Sequence, residues 1–154
     1  MVVTFGPDGA TGHPDHVRIG AAADAAFLQV RCDGGRGLRR LLHGAIPQSW
    51  FDRMQAWRVA HGFPPWQPEN VYHLRAVPDR CIGVHVRIDP VAHVVVAVLL
   101  EHRSQRLVLV PTEVDQATFT RGLRPEWHTV VWPPRHEGEP LLADLFEGLD
   151  DGNA

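Results

Sequence analysis

The chain has 154 residues, 44% apolar and 21% charged, with a formal net charge of −3. That is the composition of one globular domain with a real core, and it excludes a disordered tail, a collagen-like fibre and a coiled coil. All 15 basic residues are Arg, but the balance is acidic and no basic stripe is present, so nucleic acid is not an expected partner.

The absence of Lys and scarcity of Asn and Ile, beside plentiful Ala, Gly, Pro and Val, reads as the codon usage of a GC-rich genome. No apolar run approaches the roughly 18–20 residues of a membrane helix. The longest is Val94 to Leu100. The opening Met-Val-Val-Thr-Phe-Gly-Pro has neither a basic nor a long apolar region, so a cytoplasmic location without membrane contact is expected. Cys32 and Cys81 lie outside any metal or redox spacing and read as buried, reduced thiols.

The first fifteen residues give a short apolar start and then turn chemistry, Gly6-Pro7-Asp8-Gly9 and Thr11-Gly12-His13-Pro14. From Pro14, Val17, Ala21, Ala25 and Leu28 fall at helical spacing, which predicts a short helix running into a strand over Phe27–Cys32. Asp33-Gly34-Gly35 breaks it, and a weak helix is expected over Leu38–His43. The strongest helix is 48–61, where Trp50, Met54, Trp57 and His61 recur at four, three and four, Phe51 and Ala60 widen the stripe, and Pro47 stands before and Gly62 after. Phe63-Pro64-Pro65-Trp66-Gln67-Pro68 is a stiff connector.

Beyond it the period changes to two. Val71–Val77, Ile82–Ile88, His93–His102 and Arg106–Pro111 read as four strands whose short separators require antiparallel neighbours. A short helix is expected from a Thr112 cap to Arg121, Trp127–Trp132 reads as a strand, and Pro140 opens an amphipathic turn with Leu141, Leu142, Leu145 and Phe146. The expectation is therefore an α+β fold in a single domain, 1–154. A four- to six-stranded, mainly antiparallel sheet containing a β-meander over 71–111 would pack against an N-terminal helical segment. A short C-terminal helix and an acidic tail fraying over 147–154 complete it. The stripe of Trp50, Met54 and Trp57 would bury itself against Tyr72, Leu74, Val84 and Val86.

Ten His are the one compositional feature that codon usage does not explain. His13-Pro14-Asp15-His16 has two imidazoles and a carboxylate close together, but a metal ion wants three or four convergent ligands. Solvated turn residues are the plainer reading. No metal is expected, and if one binds, His13, Asp15 and His16 are the place. His136-Glu137-Gly138-Glu139 is a weaker set of the same kind. The metalloprotease, nucleophile-elbow, P-loop and dinucleotide motifs are absent.

In the meander, the register that separates polar from apolar residues puts His73 opposite His85, with Arg75 and Arg87 on the same face. Imidazoles about 4.5–5.5 Å apart across a strand pair, backed by guanidinium groups, could do acid–base chemistry on a phosphodiester. The plainer reading is the wet face of a sheet. Trp66, Trp127 and Trp132 adjoin Pro-rich turns and, with Arg135, could form an aromatic docking surface on a rigid backbone.

Weighing these, the sequence points to a small soluble accessory module of bacterial type, immunity- or chaperone-like. It would bind another protein through Trp66, Trp127, Trp132 and Arg135, with no cofactor and an oligomeric state the sequence leaves open. The alternatives are a metal-independent, RNase-like enzyme using His73, Arg75, His85 and Arg87, and a His-rich metal-binding protein.

Overall fold

A computed structural model describes residues 1–105, 115–121, 123–136 and 138–149. The chain divides into two compact units, residues 1–85 with 127–154, and residues 86–126.

The first unit is organised by β1 (Val2–Phe5), α1 (Pro14–Cys32), β2 (Leu41–Ala45), α2 (Gln48–Ala60), β3 (Val84–Val86) and β4 (Glu126–Trp132). The sheet order is β1-β2-β4-β3. β1 and β2 are parallel, with Val2 opposite Leu41 and Phe5 opposite Gly44. Parallel neighbours need a long crossover, and α1 supplies it. β2 and β4 are antiparallel, Leu42 facing Val130 and Ala45 facing Trp127. The fold is thus α+β on a four-stranded mixed sheet.

α1 lies close on β1 because residue 20 is glycine. A Cβ there would stand 2.5 Å from the Phe5 carbonyl oxygen. The core gathers around β2, with Leu41, Leu42, Phe27 and Val84 essentially inaccessible. α2 begins at Pro47, whose side chain cannot cap. The Asp79 carboxylate, 30 positions later, accepts from the Ser49 N–H at 3.0 Å instead.

The expected meander over 71–111 is corrected. Residues 71–77 form no strand; Val77 makes an isolated bridge to Pro47. Ile82–Ile88 contracts to β3, and the run expected as a central strand is the helix α3 (Ala92–Glu101). A run apolar at every position carries no period to distinguish strand from helix, and Pro90 in the preceding 3-10 turn favours helical entry. Arg106–Pro111 lies outside the described residues.

Two earlier elements are also reassigned. The helix expected over Leu38–His43 is occupied from Leu41 by β2, and the strand expected over Phe27–Cys32 is the end of α1. Both thiols are exposed rather than buried. β4 matches the strand expected at Trp127–Trp132, and α2 matches the expected helix to within a residue. Its buried side differs in part: Phe51, in the expected stripe, is 5% exposed, but Trp57, expected within the core, is 48% exposed.

The second unit holds α3 and α4 (Gln116–Arg121). The Asp115 carboxylate accepts from the Thr118 N–H at 3.0 Å, capping α4. The expected Thr112 cap lies outside the described residues. Pro140 opens turns rather than a helix. Among the described residues no helix is long and apolar enough to cross a membrane.

Candidate functional site

The loop between β1 and α1 leaves the sheet at the carboxyl end of a parallel strand, where open α/β sheets bind ligands. Its sequence lets it turn sharply, with left-handed φ at Gly9, Ala10 and Gly12. The Asp8 carboxylate closes the turn by accepting from the Ala10 N–H at 2.9 Å. Gly12 is favoured by its backbone conformation and lies against a side chain. Its φ is +68°, and a Cβ there would collide with the Arg75 guanidinium. The segment 72–75 is sewn to this loop by backbone bonds, Tyr72 N–H to the Thr11 carbonyl at 2.8 Å and Arg75 N–H to the Ala10 carbonyl at 2.9 Å.

His13 caps α1, its Nδ1 accepting from the Asp15 N–H at 3.0 Å. An Nδ1 that accepts carries no proton, so in the neutral ring the proton sits on Nε2. His16 is the opposite. Its Nδ1 lies 3.2 Å from the Gly9 carbonyl, which can only accept, so Nδ1 carries the proton and Nε2 keeps a lone pair. The two rings stack 4.8 Å apart, and His16 stacks on Phe5 at 4.1 Å. One imidazole therefore offers a donor and its neighbour a base, both at the positive end of a 19-residue helix.

Tyr72, 71% exposed and held at φ +72°, stands edge-on to His13 at 5.3 Å. Behind the loop, His43 on β2 meets Asp24 of α1 at 2.8 Å. Among the described residues no three His, Cys, Asp or Glu side chains gather as a metal ion needs. His13, Asp15 and His16 are not gathered as such a set.

The face expected to hold His73, Arg75, His85 and Arg87 does not assemble by the register that defined it. His73 Nδ1 accepts from the Gln67 N–H at 2.7 Å. His85 stacks on Trp127 at 5.8 Å, its Nε2 buried without a hydrogen bond. Arg75 lies against Gly12, and Arg87, in the other unit, pairs with Asp89 at 3.2 Å on the surface. Of the four, only Arg75 is brought to the loop bearing His13 and His16.

The residues expected to dock a partner are largely engaged within the chain. Trp66 lies 6.5 Å from Trp50 and 5.6 Å from Phe51, with the Arg58 guanidinium 4.5 Å above its ring. Its backbone N–H and carbonyl are both bound by the Gln55 side chain, at 2.7 and 2.8 Å. Trp127 is sandwiched toward Trp50 at 6.0 Å and His85. Arg31 covers Trp132 at 5.4 Å. Arg135 bonds the Gly83 carbonyl at 3.0 Å.

Comparison with known proteins bears on the same question. The chain is similar to a protein of Saccharomonospora viridis described as 1D-myo-inositol 2-acetamido-2-deoxy-alpha-D-glucopyranoside deacetylase, 31% identical over 97% of this chain and 53% of the relative. It is similar to a protein of Streptomyces scabiei with the same description, 28% identical over 97% of this chain and 50% of the relative. A Kineococcus radiotolerans protein, again so described, is 39% identical over 46% of this chain and 16% of the relative. The chain spans about half the length of the two relatives that it matches nearly throughout. No protein-family model matches it, and no solved structure does. Relatives described as enzymes overturn the expected accessory, protein-binding module.

Proposed function

We propose that the chain takes part in hydrolysing an N-acetyl group from an amino sugar, with His13 and His16 as its working pair. The observation that carries this reading is their opposite hydrogen-bonding, 3.0 Å to the Asp15 N–H and 3.2 Å to the Gly9 carbonyl, at the start of α1. The near full-length similarity of the chain to proteins described as deacetylases supports it. The substrate proposed is the one in their description, an N-acetylglucosaminide of inositol.

Amide hydrolysis needs a base for the attacking water and a donor for the oxygen that becomes negative. His16 Nε2 takes the proton as water oxygen bonds to the acetyl carbon. His13 Nε2–H donates to the developing oxyanion, which the α1 amino end also favours. The carbon–nitrogen bond then breaks, the amine leaves with the proton returned by the imidazolium, and acetate is the second product. Tyr72 forms a wall of the site beside His13.

Release of free amine from the inositol glycoside and from N-acetylglucosamine tests this. His16→Ala and His13→Ala should each lower kcat by about a hundredfold or more, the range for lost acid–base groups, while His13→Ala should also lower melting by the few degrees of a lost cap of about 1 kcal/mol. No amine from either substrate, or full activity in His16→Ala, overturns the reading.

A further inference from the structure

We propose a second site, independent of the His pair: a pocket between residues 80–83 and Arg135, His136, Gly138 and Glu139 that binds a compact dianion, a phosphoryl group or a dicarboxylate. The pocket encloses about 290 Å³, near the lower end of small-ligand sites at about 300 Å³, so it suits a small molecule. Its lining includes Arg80, Cys81, Gly83, Arg135, His136 and Glu139.

Arg135 is fixed rather than floating. One guanidinium nitrogen donates to the Gly83 carbonyl at 3.0 Å, another to the Pro140 carbonyl, and Nε meets Glu139 at 3.1 Å. A guanidinium has five N–H donors, so these three bonds leave donors for a ligand on a group whose orientation is already set. Gly83 makes room for this: a Cβ there would stand 3.3 Å from Arg135 Cδ and 2.8 Å from a Val130 methyl.

Glu139 is occupied as well, its other oxygen accepting from the His136 N–H at 2.9 Å. Its charge is therefore offset by Arg135 and does not govern the pocket. Arg80, exposed on the 3-10 turn, and the His136 ring have no partner among the described residues. The lining thus presents the Arg80 guanidinium, the spare N–H donors of the neutralised Arg135 and an imidazole. An oxyanion with two or more acceptor atoms answers such a set, because charge-assisted bonds to guanidinium are strong and directional.

Cys81 lies in this lining and is exposed, so it reports occupancy. In a Cys32→Ser protein, the rate at which iodoacetamide labels Cys81 is measured against inorganic phosphate, malonate and sodium chloride at matched ionic strength. The expected result is a saturable slowing of at least threefold at millimolar phosphate or malonate, absent with chloride. Protection by phosphate alone assigns a phosphoryl ligand, and protection by malonate alone a dicarboxylate. Arg80→Gln should raise the half-protecting concentration at least tenfold with unchanged melting, and His136→Gln provides a second variant. Equal effects of all three salts, or protection unaltered in both variants, would overturn the proposal and leave a solvent-filled cleft.

Discussion

Which ring nitrogen a histidine leaves free depends on what its other nitrogen touches, and that depends on a turn glycine. Gly12 lets the loop reverse while the Arg75 guanidinium occupies the space a side chain would take. Gly34 also has a left-handed φ, +78°, but nothing lies within 4 Å of its would-be Cβ. Gly34→Ala should therefore cost about 1 kcal/mol, the backbone penalty alone. Gly12→Ala carries the same backbone penalty, and because the atoms in its way are the mobile tip of Arg75, it should displace that guanidinium at little added cost and disturb the His pair. Denaturant titration of both variants checks this; a loss in Gly12→Ala several times that in Gly34→Ala would mean that Arg75 is held rigidly there. The sequence made the His13-Pro14-Asp15-His16 cluster visible, but the roles of its members were not legible. Spacing cannot say that Gly9 would turn its carbonyl toward His16, nor that Tyr72 would come beside His13 from a distant segment.

Helices with a clear period were legible and short buried strands were not. α2 was located by its apolar spacing and its Pro and Gly boundaries, whereas Leu41–Ala45 lies buried in the sheet and so has no alternation to read. α3 misled for a related reason, its Val-rich run favouring a strand by propensity while its buried residues, Ala92 and Val96, fall four apart. Even for α2 the stripe held only in part: Phe51 is buried, but Trp57 stacks outward on His61 at 4.2 Å and Phe63 at 5.9 Å. Phe51→Ala should then cost about 3–5 kcal/mol, as for a buried aromatic. Trp57→Ala should cost no more than about 1 kcal/mol, and the reverse order in urea midpoints would put the buried side back on Trp57. The start of α2 adds a pH dependence. Its bonds to Ser49, backbone first and then side chain, hold the Asp79 carboxyl below its usual pKa. A lowered carboxyl pKa means that the folded state favours the charged form. This stabilisation is therefore full above the unfolded pKa and lost as pH falls through the folded one. Asp79→Ala should lower stability by about 1 kcal/mol near neutrality, as for a lost cap, and the difference in melting temperature should close under acid. A gap unchanged in acid would assign the effect to packing rather than charge.

At the scale of the molecule, the unit that carries both sites is assembled from the two ends of the chain, residues 1–85 and 127–154. β4 already pairs with β2, and the stretch beyond it is tied back to the start of β2 by Arg40. Arg40 is 5% exposed and precedes β2 directly. Its two terminal nitrogens donate to the Leu145 carbonyl at 2.6 Å and the Glu147 carbonyl at 2.7 Å. The tail expected to fray from 147 is thus held at Glu147, while residues 150–154 lie outside the described ones. Neither carbonyl belongs to a helix or strand, so removing the guanidinium leaves two acceptors in want of a donor. Both bonds are only part-buried, so water can meet the freed acceptors and the loss is that of the two charge-assisted bonds, about 1.5–3 kcal/mol each at most. Arg40→Met keeps much of the volume and removes only the donors. It should lower stability by about 2 kcal/mol or more and expose the chain near Phe146, itself 63% exposed, to chymotrypsin under native conditions. Cleavage there should be faster in Arg40→Met than in the wild type by at least tenfold. If both proteins are cut at the same rate with equal urea midpoints, the last segment is held by Leu142 and its bridge to Val84, and Arg40 does not join the ends.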